Sequence, residues 1–262
     1  MNTAAVAHIQ NLNWSYNGRP LFNRLNAVFE ANCFTSLIGP NGCGKTTLLR
    51  HLLGHIKPQR NTVLFPYGDA LDYSQKELAH HVSYVPQYGR IDYDFTVYQM
   101  VSMGRYAHQK RFSAFSSQDH KAVEEALELM HLGHLNNRKT HELSGGEHQR
   151  MLIARALAQQ ATLMLLDEPV SHLDIGNQRD ILRLLRRLVD QKQLSVVCVL
   201  HDLQAVSAFS DTVMLLHNGT IVAQGTVKEV LQKDIIERAY EIEVTIDTFE
   251  KSDRPLVLPH WL

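Results

Sequence analysis

Cysteine is scarce in this chain. The three present, Cys33, Cys43 and Cys198, show no CxxC spacing, which argues against a disulfide-stapled scaffold and for a reducing compartment. Neither sign of charge is in excess: 26 Lys and Arg face 27 Asp and Glu, for a formal net charge of −1, and no basic block stands out. A protein that coats nucleic acid electrostatically needs such a surplus, so no nucleic acid is expected as a partner. Long apolar runs are missing too. The longest, such as Leu163 to Leu166 and Val196 to Leu200, fall far short of the roughly 20 residues of a membrane-spanning helix. The stretch from Met1 to His8 lacks the basic segment and apolar run of a signal peptide. These shortages lead to the expectation of a soluble chain whose membrane role, if it has one, comes through a partner.

Histidine runs the other way, with fifteen in the chain. Pairs such as His80–His81 and His131–His134 have no carboxylate or thiol set at a zinc-site spacing, so most are read as solvated surface side chains. At 44% hydrophobic, the 262 residues can bury a substantial core as one large domain or two lobes.

What is present centres on Gly39-Pro40-Asn41-Gly42-Cys43-Gly44-Lys45-Thr46-Thr47. An apolar run (Phe34 to Ile38) precedes it and a leucine-rich one (Leu48, Leu49, Leu52, Leu53) follows. That is the strand, glycine loop and helix context a phosphate-binding P-loop requires. Gly39, Gly42 and Gly44 leave room for backbone N–H groups to close around phosphates, and the helix N-terminus adds positive potential. Lys45 can reach the β- and γ-phosphates, and the Thr46 hydroxyl can ligate Mg²⁺. Cys43 reads as a small loop-filling residue, because nothing nearby in sequence marks a redox pair. The stretch implies binding of a nucleoside triphosphate.

Periodicity predicts strands over residues 6–13, 25–29, 34–38, 62–65, 82–85, 163–166 and 196–200, with a turn at 16–20. Helices are predicted from Lys45 to near Gly54 and over 75–81, 178–189, 203–209, 228–231 and 235–240. Asn218-Gly219, between apolar runs at 213–216 and 221–223, is a hairpin signal. From Tyr88 to about Gln160 the character turns helical. Thr96 can cap a helix running to about Met103, and Val123, Leu127 and Met130 mark one face of another over 119–130. The tail from Glu241 is expected as short extended segments around Pro255 and Pro259.

A P-loop alone fits kinases, GTPases, motors and transporters alike. The narrowing stretch is Leu143-Ser144-Gly145-Gly146-Glu147-His148-Gln149-Arg150. Ser144 with Glu147 three residues later is a capping box, and Met151, Ala154 and Leu157 continue an apolar face. Gly145 and Gly146 strip side chains from that helix end and expose backbone donors to an anion. Two adjacent glycines there cost roughly 1 kcal/mol each relative to alanine, so something other than helix stability favours them. Upstream of Leu163-Met164-Leu165-Leu166-Asp167-Glu168-Pro169, this stretch resembles the ATP-binding subunit of an ABC transporter. The resemblance runs from Val6 to about Tyr240 with the family's motifs in order.

It implies an α/β fold with a P-loop NTPase (RecA-like) core over residues 1–88 and 161–240 and an inserted helical subdomain over 89–160. An N-terminal antiparallel β element and a C-terminal extension over 241–262 complete it. By the same resemblance, Tyr16 stacks on adenine, the alternative being a simple core tyrosine. Gln87 joins the lobes and senses Mg²⁺, Ser171-His172-Leu173-Asp174 links two ATP sites, and His201 contacts the γ-phosphate. Asp167 would hold Mg²⁺ together with Thr46 and Gln87, and Glu168 would orient and deprotonate the attacking water. The family arrangement implies a head-to-tail homodimer with two ATPs sandwiched between chains, each P-loop facing Ser144 and Gly146 of the other chain. It also implies two integral-membrane permease subunits, an indirect link to a substrate-binding protein, and a peripheral place on the cytoplasmic face of the inner membrane.

Residues 97–106, the loop Gly-Pro-Asn-Gly-Cys-Gly-Lys and the ending Arg254-Pro255-Leu256-Val257-Leu258-Pro259 are similar to ATPases serving importers of ferric siderophores, haem, cobalamin and metal ions. Together they resemble the iron(III)-siderophore branch best. Two residues depart from its pattern. Glu147 stands where many of these importers carry glutamine, as it also does in haem importers, and His172 stands where the linking loop often has alanine. Tyr93, Phe95, Met100 and Met103 are expected to help form the groove that receives a cytoplasmic helix of the permease, with helix core the alternative for the two methionines. The rival class is a soluble ABC protein of DNA maintenance, translation or iron–sulfur assembly. The lack of a long coiled coil, the single nucleotide-binding half and the near-neutral charge argue against the first two.

Overall fold

In the computed structural model, which describes residues 4–87, 94–109, 113–192, 194–248 and 252–260, two long antiparallel strands come first. β1 (Ala5–Tyr16) and β2 (Arg19–Glu30) are joined by Asn17 and Gly18, whose φ angles of 49° and 77° make the tight turn that matches strand twist. Both strands outrun the 6–13 and 25–29 predicted from alternation. Register shifts at Ile9/Leu12 and Leu12/Trp14 break the period of two, so the alternation fades while the pairing continues. β3 (Phe34–Ile38) leads through the glycine loop into α1 (Lys45–Leu52). β4 (Val63–Phe65) then pairs onto β1 and β5 (Gly68–Asp69) onto β4, giving the order β2-β1-β4-β5 among the described residues. The two-residue β5 is not among the predicted strands, being too short to show a period.

α2 (Gln75–Leu78) is shorter than the predicted 75–81 and is followed by β6 (Val82–Val85). A helical stretch comes next: α3 (Val97–Ser102), capped by Thr96, α4 (Ser117–Leu129) and α5 (Gly145–Ala158), which pack on one another. β7 (Leu163–Leu166), α6 (Ile175–Lys192), β8 (Ser195–Val199) and α7 (Leu203–Phe209) restore the alternation. α6 starts ahead of the predicted residue 178, because the Asp174 carboxylate accepts the Asn177 backbone N–H at 2.9 Å. β9 (Thr212–His217), β10 (Thr220–Thr226), α8 (Val227–Val230) and α9 (Lys233–Tyr240) follow. β11 (Val244–Thr248) and β12 (Pro255–Pro259) end the described chain as an antiparallel pair, not as separate extended segments.

Among the described residues the main sheet has the order β10-β9-β3-β8-β7-β6, parallel except for β10. Every residue of β3, β7 and β8 is buried, as expected of strands covered on both faces. One apolar cluster lies between the two sheets and encloses α1, whose Leu48, Leu49 and Leu52 are fully buried, each contributing about 2 kcal/mol. A second cluster joins the other face of the main sheet to α3–α7 and α9. The P-loop helix is therefore clamped from both sides. This is the α/β architecture of a P-loop NTPase core.

One expectation needs correction. Met100 is fully buried in the second cluster, so it belongs to helix core and not to a docking groove, whereas Phe95 and Met103 are half-buried against that cluster. Tyr93 lies outside the described residues. His51, unlike the solvated majority of histidines, is fully buried among Trp14 and Phe22, and its Nδ1–H donates to the Thr47 carbonyl at 2.8 Å. Among the described residues, no helix is long and apolar enough to cross a membrane, and no group of three or more His, Cys, Asp or Glu could hold a metal ion.

Candidate active site

The glycine loop owes its path to two close approaches. Gly39 has φ 145°, and a Cβ there would meet the Leu216 carbonyl oxygen at 2.0 Å. Gly44 has φ 110°, and a Cβ would strike the Phe22 ring at 2.7 Å. Pro40, Asn41 and Gly42 form the more open part of the turn. Buried Lys45 reaches back across the loop, its Nζ donating to the carbonyls of Gly39 and Pro40 at 2.8 and 2.9 Å. The thiol of Cys43 is buried and pushed up by that burial, so it packs the loop as a neutral group. Thr47 is buried one turn inside the helix, and its hydroxyl lies 3.4 Å from that of Tyr16, whose ring is half-exposed and stands edge-on to Trp14.

Asp167 and Glu168 follow β7 directly. Asp167 is 2% exposed, its N–H donates to the Val85 carbonyl, and its Oδ2 accepts from the Tyr84 hydroxyl at 3.4 Å. Its carboxyl is pushed up, first by desolvation and then by the Glu168 charge, while the Thr46 and Tyr84 hydroxyls and Arg50 pull the other way. Oδ1 is buried with no hydrogen-bond partner among the described residues. A buried carboxylate oxygen left unsatisfied beside a threonine hydroxyl suits a hard divalent cation, so these residues fit Mg²⁺.

Glu168 sits in the left-handed region, with φ 49°. Its two oxygens are both engaged: Oε1 lies 2.6 Å from His201 Nε2, and Oε2 accepts from Gln87 Nε2 at 2.6 Å. The structure thus brings Lys45, Thr46, Asp167, Glu168, Gln87 and His201 to the ends of adjacent parallel strands, where open α/β sheets bind ligands.

Ser144 caps α5, which Gly145 and Gly146 open. The Ser144 backbone N–H and hydroxyl both donate to the Glu147 carboxylate at 2.8 Å, which holds that carboxyl below its usual range. A Cβ on Gly145 would lie 3.5 Å from Leu173, and one on Gly146 would meet Asn177 at 2.6 Å. This helix start therefore leans on the loop 171–174 and the first turn of α6. Sequence reasoning missed Asn177, which needs the tertiary contact to be seen, and Tyr84, which looked like any strand aromatic.

A family model described as ABC transporter matches residues 22–171, from β2 through the Asp167–Glu168 pair into the loop beyond it. The chain belongs to the ABC transporter family. It is one of the family's ATP-binding subunits, which are ATPases coupled to transport. It is 36% identical to the ferric enterobactin transport ATP-binding protein FepC of Escherichia coli (strain K12), over 98% of this chain and 96% of that protein. It is 34% identical to the iron(3+)-hydroxamate import ATP-binding protein FhuC of Bacillus subtilis (strain 168), over 96% of this chain and 93% of that one. Among solved structures, an inward-facing ABC transporter described as of metal-chelate type superposes with a TM-score of 0.85 at 30% identity. That match covers 100% of this chain and 98% of the other.

Proposed function

We propose that this ABC ATPase energises uptake of an iron(III)-siderophore complex across the bacterial inner membrane. The observation that carries the hydrolytic part is the Glu168 carboxylate, held between Gln87 and His201. The cargo follows from relatives of nearly equal length that are named for ferric enterobactin and iron(3+)-hydroxamate.

In this reading the Tyr16 ring stacks on the adenine, and the backbone N–H groups of residues 39–44 with Lys45 enclose the phosphates. Glu168 orients the attacking water and takes its proton, and His201 donates to the γ-phosphate oxygens as charge develops there. Gln87 reports the state of that site to the helical lobe. Thr46, Asp167 and Gln87 would hold Mg²⁺, which would supply positive charge beside the phosphates. Because Ser144 and Gly145 are exposed at the start of α5, they are free to close over the ATP of a second copy, which supports the head-to-tail homodimer. Residues 89–160 act as the helical subdomain, 1–88 with 161–240 as the core, and 241–262 as an extension. Phe95 and Met103 remain candidates for the surface that meets one of two permease subunits. The complex is placed on the cytoplasmic face of the membrane, served indirectly by a substrate-binding protein.

Growth of a deletion strain tests the proposal, with iron supplied only as ferric catecholate, ferric hydroxamate or haem, and with cobalamin uptake followed alongside. Loss on a siderophore, restored by the wild-type gene but not by Lys45→Ala, is the expected outcome. Normal uptake of every siderophore, with loss on haem or of cobalamin uptake instead, overturns the cargo while leaving the ATPase.

A further inference from the structure

The hairpin β11–β12 is built onto the helix that follows His201. α7 begins two residues after that histidine, and the Asp202 carboxylate accepts the Gln204 backbone N–H at 2.8 Å. At seven residues α7 is too short to hold itself in water, so its place is set by what packs on it. From inside, the Ser210 hydroxyl meets the Ser36 hydroxyl of β3 at 2.6 Å, with both residues buried. From the α6 side, Arg186 Nη1 reaches the Phe209 carbonyl at 3.4 Å.

The outer face belongs to β12. The buried Ser207 hydroxyl donates to the Pro255 carbonyl at 2.6 Å, and the Gln204 side-chain amide donates to the Val257 carbonyl. Arg254 donates to the carbonyls of Ser207 and, at 3.0 Å, of Ser210. A cation there satisfies open carbonyls at the C-terminal end of a helix and complements its dipole. The hairpin is itself anchored. Val244 and Val257 are buried in the main core, and the Val244 N–H is held by the Glu237 carboxylate at 2.9 Å. At the other end of the same segment, Ala239, Tyr240 and Glu241 line one cavity with Asn41, Gly42 and Cys43. The C-terminal segment thus runs from the flank of the P-loop to the outer face of α7.

We propose that the C-terminal hairpin is a positioning element of the active site, holding α7 through Gln204, Ser207 and Arg254 so that His201 stays against Glu168. The inference rests on the proposed roles of His201 and Glu168 in hydrolysis. Gln204, Ser207 and Arg254 touch no substrate and act through His201. Displacing a catalytic group by about 1 Å can cost on the order of 100-fold in rate, so partial loosening of α7 is visible in kcat.

The test is ATP hydrolysis by the full chain, under steady-state and single-turnover conditions, for Arg254→Ala, Arg254→Lys, Ser207→Ala, His201→Ala and the double variant His201→Ala with Arg254→Ala. The expected result is about a tenfold fall in kcat for Arg254→Ala, with KM for ATP within about twofold. Arg254→Lys keeps one donor and recovers part of the loss, and Ser207→Ala, the milder change, lowers kcat in the same direction. In the His201→Ala background, adding Arg254→Ala costs nothing further, the non-additivity of residues acting as one unit. If Arg254→Ala slows both backgrounds by the same factor, or lowers only the melting temperature, the hairpin is merely structural and the proposal falls. If His201→Ala itself hydrolyses at the wild-type rate, the role of His201 falls and the proposal with it.

Discussion

Glu168 Oε1 and His201 Nε2 lie 2.6 Å apart, each two residues beyond the end of its strand, β7 and β8. These strands are parallel neighbours in register from Leu163↔Ser195 to Leu166↔Cys198, so beyond the last pair His201 stands one residue further along than Glu168. Gln87 stands two residues beyond β6, the neighbour on the other side, and takes the second Glu168 oxygen. The strands on either side of β7 thus deliver one polar residue each to its carboxylate.

Glu168→Gln keeps the shape that Gln87 and His201 pack against but removes the base. ATP hydrolysis should fall by on the order of 100-fold or more while ATP binding persists. Lys45→Ala should lose binding as well as turnover. Phosphate release measured beside equilibrium nucleotide binding separates the two, and a Glu168→Gln variant within a few-fold of wild type would remove Glu168 from the chemistry.

Asp167 carries a carboxyl pushed above its ordinary 3.8 by desolvation and by Glu168. A carboxyl raised in the folded state costs stability while ionised, and that cost is relieved as pH falls through the raised value toward 3.8. Asp167→Asn should therefore melt higher than wild type at neutral pH without divalent cations. It should also lose the further rise that Mg²⁺ with ATP gives the wild type, together with ATPase activity. Melting curves with and without Mg²⁺ check this, and a lower melting point in metal-free buffer contradicts it.

His51 is held neutral by burial, which lowers it from the ordinary 6.5, with a smaller opposing effect from the Thr47 carbonyl. The unfolded chain takes up a proton near pH 6.5 that the folded chain resists. Stability is lost as pH falls from there toward the lower native value. His51→Gln keeps a donor for Thr47 and cannot titrate, so its urea midpoint should fall less steeply below pH 6.5 than that of wild type. Parallel slopes across that range would show that His51 is not the group responsible.

Phe95 is half-buried ahead of α3, its carbonyl accepting the Thr140 N–H at 3.0 Å, and lies outside the catalytic group. Phe95→Asp should abolish transport while leaving hydrolysis by the isolated chain within about twofold of wild type. Uptake assays paired with ATPase assays decide it. Equal loss of both activities speaks against a coupling role.

The contiguous features were legible in the residues themselves. A P-loop needs its glycines, lysine and threonine within one turn of chain, and a buried parallel strand announces itself as a short apolar run. Residues 39–47 and the strands 34–38 and 163–166 could therefore be read without a partner in view. Gln87, Glu168 and His201 were legible only through resemblance, because each sits in an ordinary loop with no local sign of its role. Their meeting depends on strand order and overhang, which are long-range properties of the sheet. The same holds where expectation and structure differ. Met100 is buried by elements far away in sequence, and β11 pairs with β12 although neither shows more than a short extended run. Periodicity and motif spacing determined which pieces form and that a triphosphate binds. Tertiary structure alone decided which side chains face one carboxylate, since those contacts join strands whose neighbours no local pattern encodes.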